Sequence, residues 1–187
     1  MIAAMVHPTA LVESVTIGPG SRVWAFCHIL AGAVVGRDCN IGDHCYVENG
    51  AMIGDEVVLK NGVSVWSGVT LENRVFVGPH VAFTNDLTPR AKVFDAALVP
   101  TVVREGASLG ANATIICGVV VGRFAMVGAG AVVTRDVPDF GLALGNPARR
   151  VGYVCRCALR LAFIANRAHC ACGREFRIDD TRVEEIL

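Results

Sequence analysis

The chain has 187 residues, enough for one main domain and a small appendage around a substantial buried core. Seventeen basic and seventeen acidic residues cancel, so no global field draws it to nucleic acid or to an anionic membrane. Hydrophobic residues make up 53% and aromatics only 6%, so the core must come from Val, Ile, Leu and Ala.

Mean hydropathy is +0.50, yet the longest uncharged stretch, residues 106–122, spans only 17 residues, holds four glycines and lies between Glu105 and Arg123. A spanning helix needs about 20 apolar residues, so buried strands are expected here and membrane insertion is not. The chain does not open with a basic region followed by an apolar segment, so no signal peptide is expected. A cytoplasmic protein with reduced thiols follows.

From the N-terminus the dominant feature is a period of six. Met5, Leu11, Ile17, Val23, Ile29, Val35, Ile41, Val47, Ile53, Leu59, Val65, Leu71, Val77 and Phe83 form one unbroken apolar series. Four positions after each comes a small or β-branched residue, such as Cys27, Ala33, Cys39, Cys45, Ala51 and Val57. Glycine often follows the aliphatic residue, as at Gly18, Gly36, Gly42, Gly54 and Gly78. An amphipathic helix would repeat near 3.6 and a hairpin sheet near 2. Period six, with two inward residues two apart, predicts short strands and tight corners, three hexads closing one triangular coil. The fold class is therefore all-β, a parallel β-helix. Cys27, Cys39 and Cys45 fall at inward positions and are read as core, and Cys117 as a corner residue.

The series breaks after Phe83 and resumes two residues out of phase at Val103, Leu109, Ile115, Val121, Val127 and Val133. A coil that loses register extrudes a loop, here about residues 84–99, with Thr84, Asn85, Asp86 and Arg90 near its start. Loops on rigid scaffolds are where binding and catalysis concentrate. Stacking residues three hexads apart puts Asn85 over Ser67 and Asn49, Thr84 over Trp66 and Glu48, and Asp86 over Gly68 and Gly50. Glu48, Asn49, Asn85 and Asp86 thus share one edge at the root of the loop, the candidate active site. A second corner stacks His80 over Gly62 and His44, beside Lys60, Asn61 and Asp43. Ala111 and Ala129 also stack one coil apart and offer backbone amides.

The segment VFVGPHVAFTNDLTPRAK (residues 75–92), with DCNIGDHCYVENG (38–50), LKNGVSVWSG (59–68), GASLGANATI (106–115) and VGAGAVVTRDVPDFGLALGNPARRVG (127–152), resembles the hexapeptide-repeat N-acetyltransferases of nucleotide-linked 3-amino sugars. The resemblance covers residues 7–152, and its FTND and PR elements are the most specific. It implies a left-handed helix, a homotrimer, acetyl-CoA as donor and active sites between neighbouring subunits. It also implies a nucleotide-linked amino sugar as acceptor, on the route to a surface polysaccharide. The DHCYVEN and KNGVSVW forms are more similar to the branch acting on dTDP-3-amino-3,6-dideoxyhexoses than to its sibling acting on UDP-3-amino-glucuronates.

A thioester is already activated, so a neutral amine needs positioning and oxyanion stabilisation more than a strong nucleophile. Asn85 is the candidate for orienting the amine or the carbonyl, and Asp86 and Glu48 for accepting hydrogen bonds from the ammonium and sugar hydroxyls. Asn49, His44, Asn61, Trp66, His80, Arg90 and Lys92 are the remaining candidates for acceptor binding. The loop contains no histidine. Either His80 or His44 serves as base or as an ordinary corner residue, and otherwise the departing sulfur takes the proton. Ala111 and Ala129 suit pantetheine, and Arg135, Arg149 and Arg150 suit the donor's phosphates.

The hexads stop after Gly152, dividing a helix of residues 1–152 from an extension of residues 153–187. The extension carries two Cys-x-Cys pairs, Cys155/Cys157 and Cys170/Cys172, with Gly173 after the second. Four thiolates on two short turns suit tetrahedral zinc, so a small zinc-ribbon-like tail with a structural ion is expected, His169 being a possible substitute ligand. Disulfides or a metal-free ribbon are the alternatives.

Three other functions use the same architecture. A γ-type carbonic anhydrase needs three histidines around one metal, whereas His44 and His80 stand two coils, about 10 Å, apart. A lipid A-type acyltransferase would need a catalytic histidine at its usual corner and a basic carrier-docking surface. A non-catalytic assembly subunit has no reason to break its repeat with a polar loop.

Overall fold

The computed structural model describes residues 3–93, 98–180 and 182–186. The hexads contribute strands of two or three residues, with an isolated bridge at Ile17, and successive strands fall on three different faces. The first face carries Arg22–Val23, Asn40–Ile41, Val58–Leu59, Phe76–Val77, Ser108–Leu109 and Met126–Val127. The second carries His28–Ile29, Tyr46–Val47, Ser64–Val65, Ala82–Phe83 and Thr114–Ile115. The third carries Val34–Val35, Met52–Ile53, Val69–Leu71 and Thr101–Val103. All pairing within these faces is parallel between coils, with registers such as His28↔Tyr46 and Tyr46↔Ser64, each a step of three hexads.

The loop is where this spacing changes. Val69 pairs with Thr101 and Ala82 with Thr114, a step of five hexads plus two in place of three hexads. The insertion therefore amounts to two hexads plus two, and the odd pair accounts for the shift of phase in the sequence. It leaves the prism at the corner between the second and third faces. The chain is in register at Thr84, whose N–H donates to Ile115 O (3.1 Å), and again at Thr101, whose N–H donates to Gly68 O (3.1 Å).

The inward series forms one continuous core, with Val23, Ile29, Ile41, Leu59, Val65, Leu109 and Ile115 wholly buried. Cys27, Cys39 and Cys45 are part of it. Burial pushes the Cys39 thiol above its ordinary range, and such a thiol is a packing group rather than a nucleophile. Cys117 is also buried, at its corner.

Two physical demands shape the corners. Each hexad turns through a residue in the left-handed region: Phe26, His44, His80 and Asn112 in one column and Asp38, Glu56, Arg74 and Phe124 in another, with φ between 53° and 58°. The glycine at the first corner position has a different cause. A Cβ at Gly36 would lie 2.6 Å from the backbone of Gly54 in the next coil, and one at Gly110 would collide with Ala129 N. At these two positions the next coil comes too close for a side chain.

Gly141–Leu144 closes the last coil and pairs antiparallel with Arg149–Val154, which pairs in turn with Arg160–Leu161. The strand Arg149–Val154 runs across residue 152, and its Tyr153 and Val154 are buried. A separate antiparallel sheet of Arg167–His169, Glu175–Asp179 and Arg182–Glu185 follows. Tail residues Tyr153, Cys155, Leu161, Ala168, Cys170, Phe176 and Val183 form a second core together with Phe140 from the last corner of the prism. Among the described residues no helix is long and apolar enough to cross a membrane.

The corner geometry makes a paired expectation. Gly36→Ala forces a Cβ into the adjoining coil and should cost about 1–3 kcal/mol, the usual range for overpacking. Gly130→Asn places at φ 67° the residue type already present one coil earlier at Asn112, with no atom within 4 Å of the new Cβ, and should be close to neutral. Chemical denaturation midpoints of the two variants test this, and equal losses would refute it.

Candidate functional site

Two edges of the prism carry the candidate residues. At the loop root, Glu48 is half-buried and its Oε2 accepts from Ser67 N (2.8 Å), so one carboxylate oxygen is spent on the backbone of the coil above. Asn49 beside it is exposed. Trp66 lies against the Tyr46 ring at 5.4 Å and donates from Nε1 to Phe83 O (2.9 Å). Thr84 Oγ1 accepts from Cys117 N (2.9 Å), and Asn85 O accepts from Val99 N (2.9 Å). That last bond closes the neck of the loop. The Asn85 side chain is half-buried and has no partner among the described residues. Asp86 turns back on its own loop, its Oδ1 accepting from Thr88 N (2.7 Å). Arg90 and Lys92 are exposed on the loop, without ion pairs among the described residues. Residues 94–97, which complete the predicted loop, lie outside the described residues.

The other edge joins the first and second faces. His44 stacks on Phe26 at 5.0 Å and 17°, and His80 sits so close over Gly62 that a Cβ there would collide with its Nδ1. Asn61 Nδ2 donates to Asp43 Oδ2 (3.2 Å). Many corner N–H groups are capped by a side chain from a neighbouring coil: Ala25 N donates to Asp43, Arg37 N to Asp55, Asp55 N to Asn73 and Arg123 N to Asp139. At Ala111 and Ala129 this ladder lapses, because the residues one coil further on, Ala129 and Gly145, have nothing to cap with. Neither N–H has an acceptor among the described residues. Beside them runs an open cavity of about 350 Å³ lined by Phe76, Ser108, Gly110, Met126, Ala129 and Leu144. An apolar furrow with two free N–H groups fits an extended chain of methylenes and amides.

Arg135, Arg149 and Arg150 line a separate, smaller cavity of about 130 Å³ at the last coil, together with Val133, Val137 and Ala143. The Arg150 guanidinium rests over the Tyr153 ring at 4.7 Å, and Arg149 Nη1 donates to Ala148 O (2.9 Å). These contacts leave both arginines donors to spare for an anion.

A single protomer does not bring the two edges together. Ala111 and Cys117, the latter stacked against the loop root, are six residues apart along one face, up to roughly 20 Å of extended chain. The apolar wall of the furrow is absent from the sequence reading. Its signal lay in the outward strand positions, where Phe76, Met126 and Leu142 are large and apolar although they face solvent.

In the tail, the sulfurs of Cys155, Cys157, Cys170 and Cys172 all lie within 4.8 Å of one another. Cys155 and Cys172 are 3.5 Å apart, Cys157 and Cys170 3.4 Å. The Arg174 N–H and then its guanidinium, which donates to Cys172 Sγ at 3.3 Å, bring the Cys172 thiol down to about 6. Burial holds Cys155 up near 12. His169 is not part of the cluster, its Nδ1 facing Glu175 Oε1 at 3.2 Å.

Residues 14–49 match the family described as bacterial transferase hexapeptide (six repeats), and residues 32–67 and 100–135 match the hexapeptide repeat of succinyl-transferase. The chain is 51% identical over 182 residues to the dTDP-3-amino-3,6-dideoxy-alpha-D-galactopyranose 3-N-acetyltransferase of Aneurinibacillus thermoaerophilus, covering 97% of this chain and 95% of that one. It is 28% identical over 155 residues to the bifunctional protein GlmU of Nitratidesulfovibrio vulgaris, covering 77% of this chain and 33% of that one. Among solved structures, a variant of AntD, an N-acyltransferase from Bacillus cereus in complex with dTDP and coenzyme A, aligns with a TM-score of 0.50 at 17% identity. That alignment covers 82% of each chain and shows a shared fold.

Proposed function

The chain belongs to the hexapeptide-repeat acetyltransferases, and we propose that it transfers the acetyl group of acetyl-CoA to the 3-amino group of a dTDP-3-amino-3,6-dideoxyhexose. The observation that carries this reading is the 51% identity, along nearly the whole of both chains, to a relative named for that reaction. The furrow supports it physically. Pantetheine lies along Phe76, Met126 and Leu144, its carbonyls accept from the free amides of Ala111 and Ala129, and the donor's phosphates meet Arg135, Arg149 and Arg150. Acetyl-CoA and its acceptor both belong to the cytoplasm.

The neutral amine attacks the thioester carbonyl. The N–C bond forms, the C–S bond breaks, and the proton lost by nitrogen passes to the departing sulfur. Asn85, with an unengaged amide, orients the amine, while Asp86 and Glu48 accept from it and from sugar hydroxyls. Asn49, Asn61, Trp66, His44, His80, Arg90 and Lys92 frame the acceptor. Since the loop root and the furrow occupy different edges, the loop completes the furrow of a neighbouring subunit. That requirement favours a homotrimer with its sites between subunits.

The tail holds one structural zinc. A tetrahedral Zn–S₄ site with bonds near 2.3 Å separates its sulfurs by roughly 3.8 Å, within the spread of the four cysteines. Bound there, zinc supplies a cross-link between two turns and takes no part in acyl transfer.

Thiol release from acetyl-CoA should occur with dTDP-3-amino-3,6-dideoxyhexoses. Turnover only with UDP-3-amino-glucuronates would move the protein to the sibling branch, and turnover with neither would end the proposal. Asn85→Ala should lower kcat on the order of 100-fold, the scale of losing one positioned donor, with an unchanged melting temperature. Near-parental turnover would remove Asn85 from the chemistry. Elemental analysis should find one zinc per chain, and chelation should lower the melting temperature of the tail. Metal-free protein with four reduced tail thiols would reject the site.

A further inference from the structure

The furrow does not begin at Phe76. Towards the N-terminus the same edge holds a second depression of about 250 Å³, lined by Trp24, Asn40, Gly42, Asp43, Lys60 and Asn61. Trp24 is one of only two tryptophans in the chain, and it remains 37% exposed. Its indole is not loose, because Nε1 donates to Asn40 Oδ1 (3.0 Å). Unlike Trp66, which packs on Tyr46, it has no ring partner among the described residues. A large, fixed, uncovered ring is a stacking platform without an occupant.

The polar groups around it divide into spent and free. Asp43 is spent, Oδ1 accepting from Ala25 N (3.0 Å) and Oδ2 from Asn61 Nδ2 (3.2 Å). The Asn40 carbonyl is taken by Trp24, which leaves its amide N–H groups to donate. Lys60, one of two lysines in the chain, is exposed and forms no ion pair among the described residues. Trp24, Gly42 and Lys60 occupy one corner column, so the backbone positions that carry the ring and the ammonium stand two coils, about 10 Å, apart. That is the reach from the base of a nucleoside 5′-diphosphate to its phosphates. Beyond Lys60 the column reads Gly78, Gly110 and Gly128, a floor without side chains leading to the free amides of Ala111 and Ala129.

We propose that this depression is the nucleotide subsite of the acceptor, the thymine ring lying on Trp24, Asn40 donating to a ring carbonyl and Lys60 neutralising the diphosphate. The inference rests on the dTDP-sugar reading above and adds a direction to it. Acceptor and donor lie end to end along one edge, base at the N-terminal coils and coenzyme at the C-terminal ones, with the amino sugar over Gly78 to His80.

Trp24→Ala and Lys60→Ala test this, with Trp24→Phe and Lys60→Arg as conservative partners. In the full-length protein each alanine variant should raise KM for the dTDP-amino sugar about tenfold or more, the scale of losing one base–aromatic contact. Calorimetric affinity for dTDP should fall by the same factor, while kcat and KM for acetyl-CoA stay within about twofold. The conservative variants should recover most of the loss, which a merely structural effect on the coil would not allow. Parental KM and dTDP affinity in both alanine variants of an active enzyme overturn the subsite and leave the proposed reaction standing. Wild-type protein that binds dTDP at Trp24 but acetylates no dTDP-amino sugar overturns the reaction and leaves the subsite standing. Wild-type protein that binds no dTDP overturns the subsite outright.

Discussion

The interaction on which everything else depends is the backbone hydrogen bond from one coil to the next. His28 N donates to Cys45 O, Tyr46 N to Val63 O and Phe76 N to Ala107 O, all at 2.9–3.0 Å. These ladders fix the rise per coil at strand spacing, about 4.8 Å. The triangular interior must then be filled by side chains small enough to repeat at that rise, which explains Val, Ile, Leu, Ala and Cys inside and the paucity of aromatics. It also explains the corners, where each hexad turns through one residue in the left-handed region and positions such as Gly36 and Gly110 give up their Cβ. A chain built this way has little freedom in its core and much along its edges.

That division explains what could be read from the sequence. The prism was legible because its cause is local and periodic, and a polar residue anywhere in the series from Val23 to Val77 would have broken it. The exit point of the loop was legible for the same reason, as a phase shift of two. The four-cysteine cluster was legible from spacing alone, although His169, adjacent in sequence, is turned away by Glu175. The amides of Ala111 and Ala129 were legible from their stacking, but the apolar wall of the furrow was not. The whole insertion separates Phe76 from its partner Ser108, and the step from Met126 to Leu142 falls two short of a full coil. Neither pair announces itself at the three-hexad interval. That the two amides are left uncapped shows only once the neighbouring capped corners are in place. Glu48 shows the opposite limit, since its sequence position marked it for chemistry while the structure also gives it a structural duty at Ser67 N.

The tail extends the prism rather than standing apart from it. Phe124 stacks on Phe140 at 5.6 Å, and Phe140 meets Phe176 edge-on at 5.3 Å. Arg156 lies over the Phe124 ring at 4.4 Å and pairs with Glu185 at 2.6 Å, while Glu185 also meets Arg174 at 3.3 Å. Arg174 in turn touches Cys172. An aromatic stack and a chain of charges thus run from the cysteine cluster to the final corners of the prism. The strand bearing Arg149 and Arg150 leads straight into Cys155, so the order of the tail and the position of those guanidinium groups are mechanically linked.

The closed neck at Asn85 and Val99 has an evolutionary corollary. Because the excursion leaves and rejoins the scaffold at a single hydrogen-bonded point, its contour is uncoupled from the stacking around it. The entropy of closing a longer segment grows only logarithmically. Insertions, deletions or wholesale replacement between these anchors would leave the prism intact, so a lineage of such proteins can diversify in this appendage while its scaffold stays frozen.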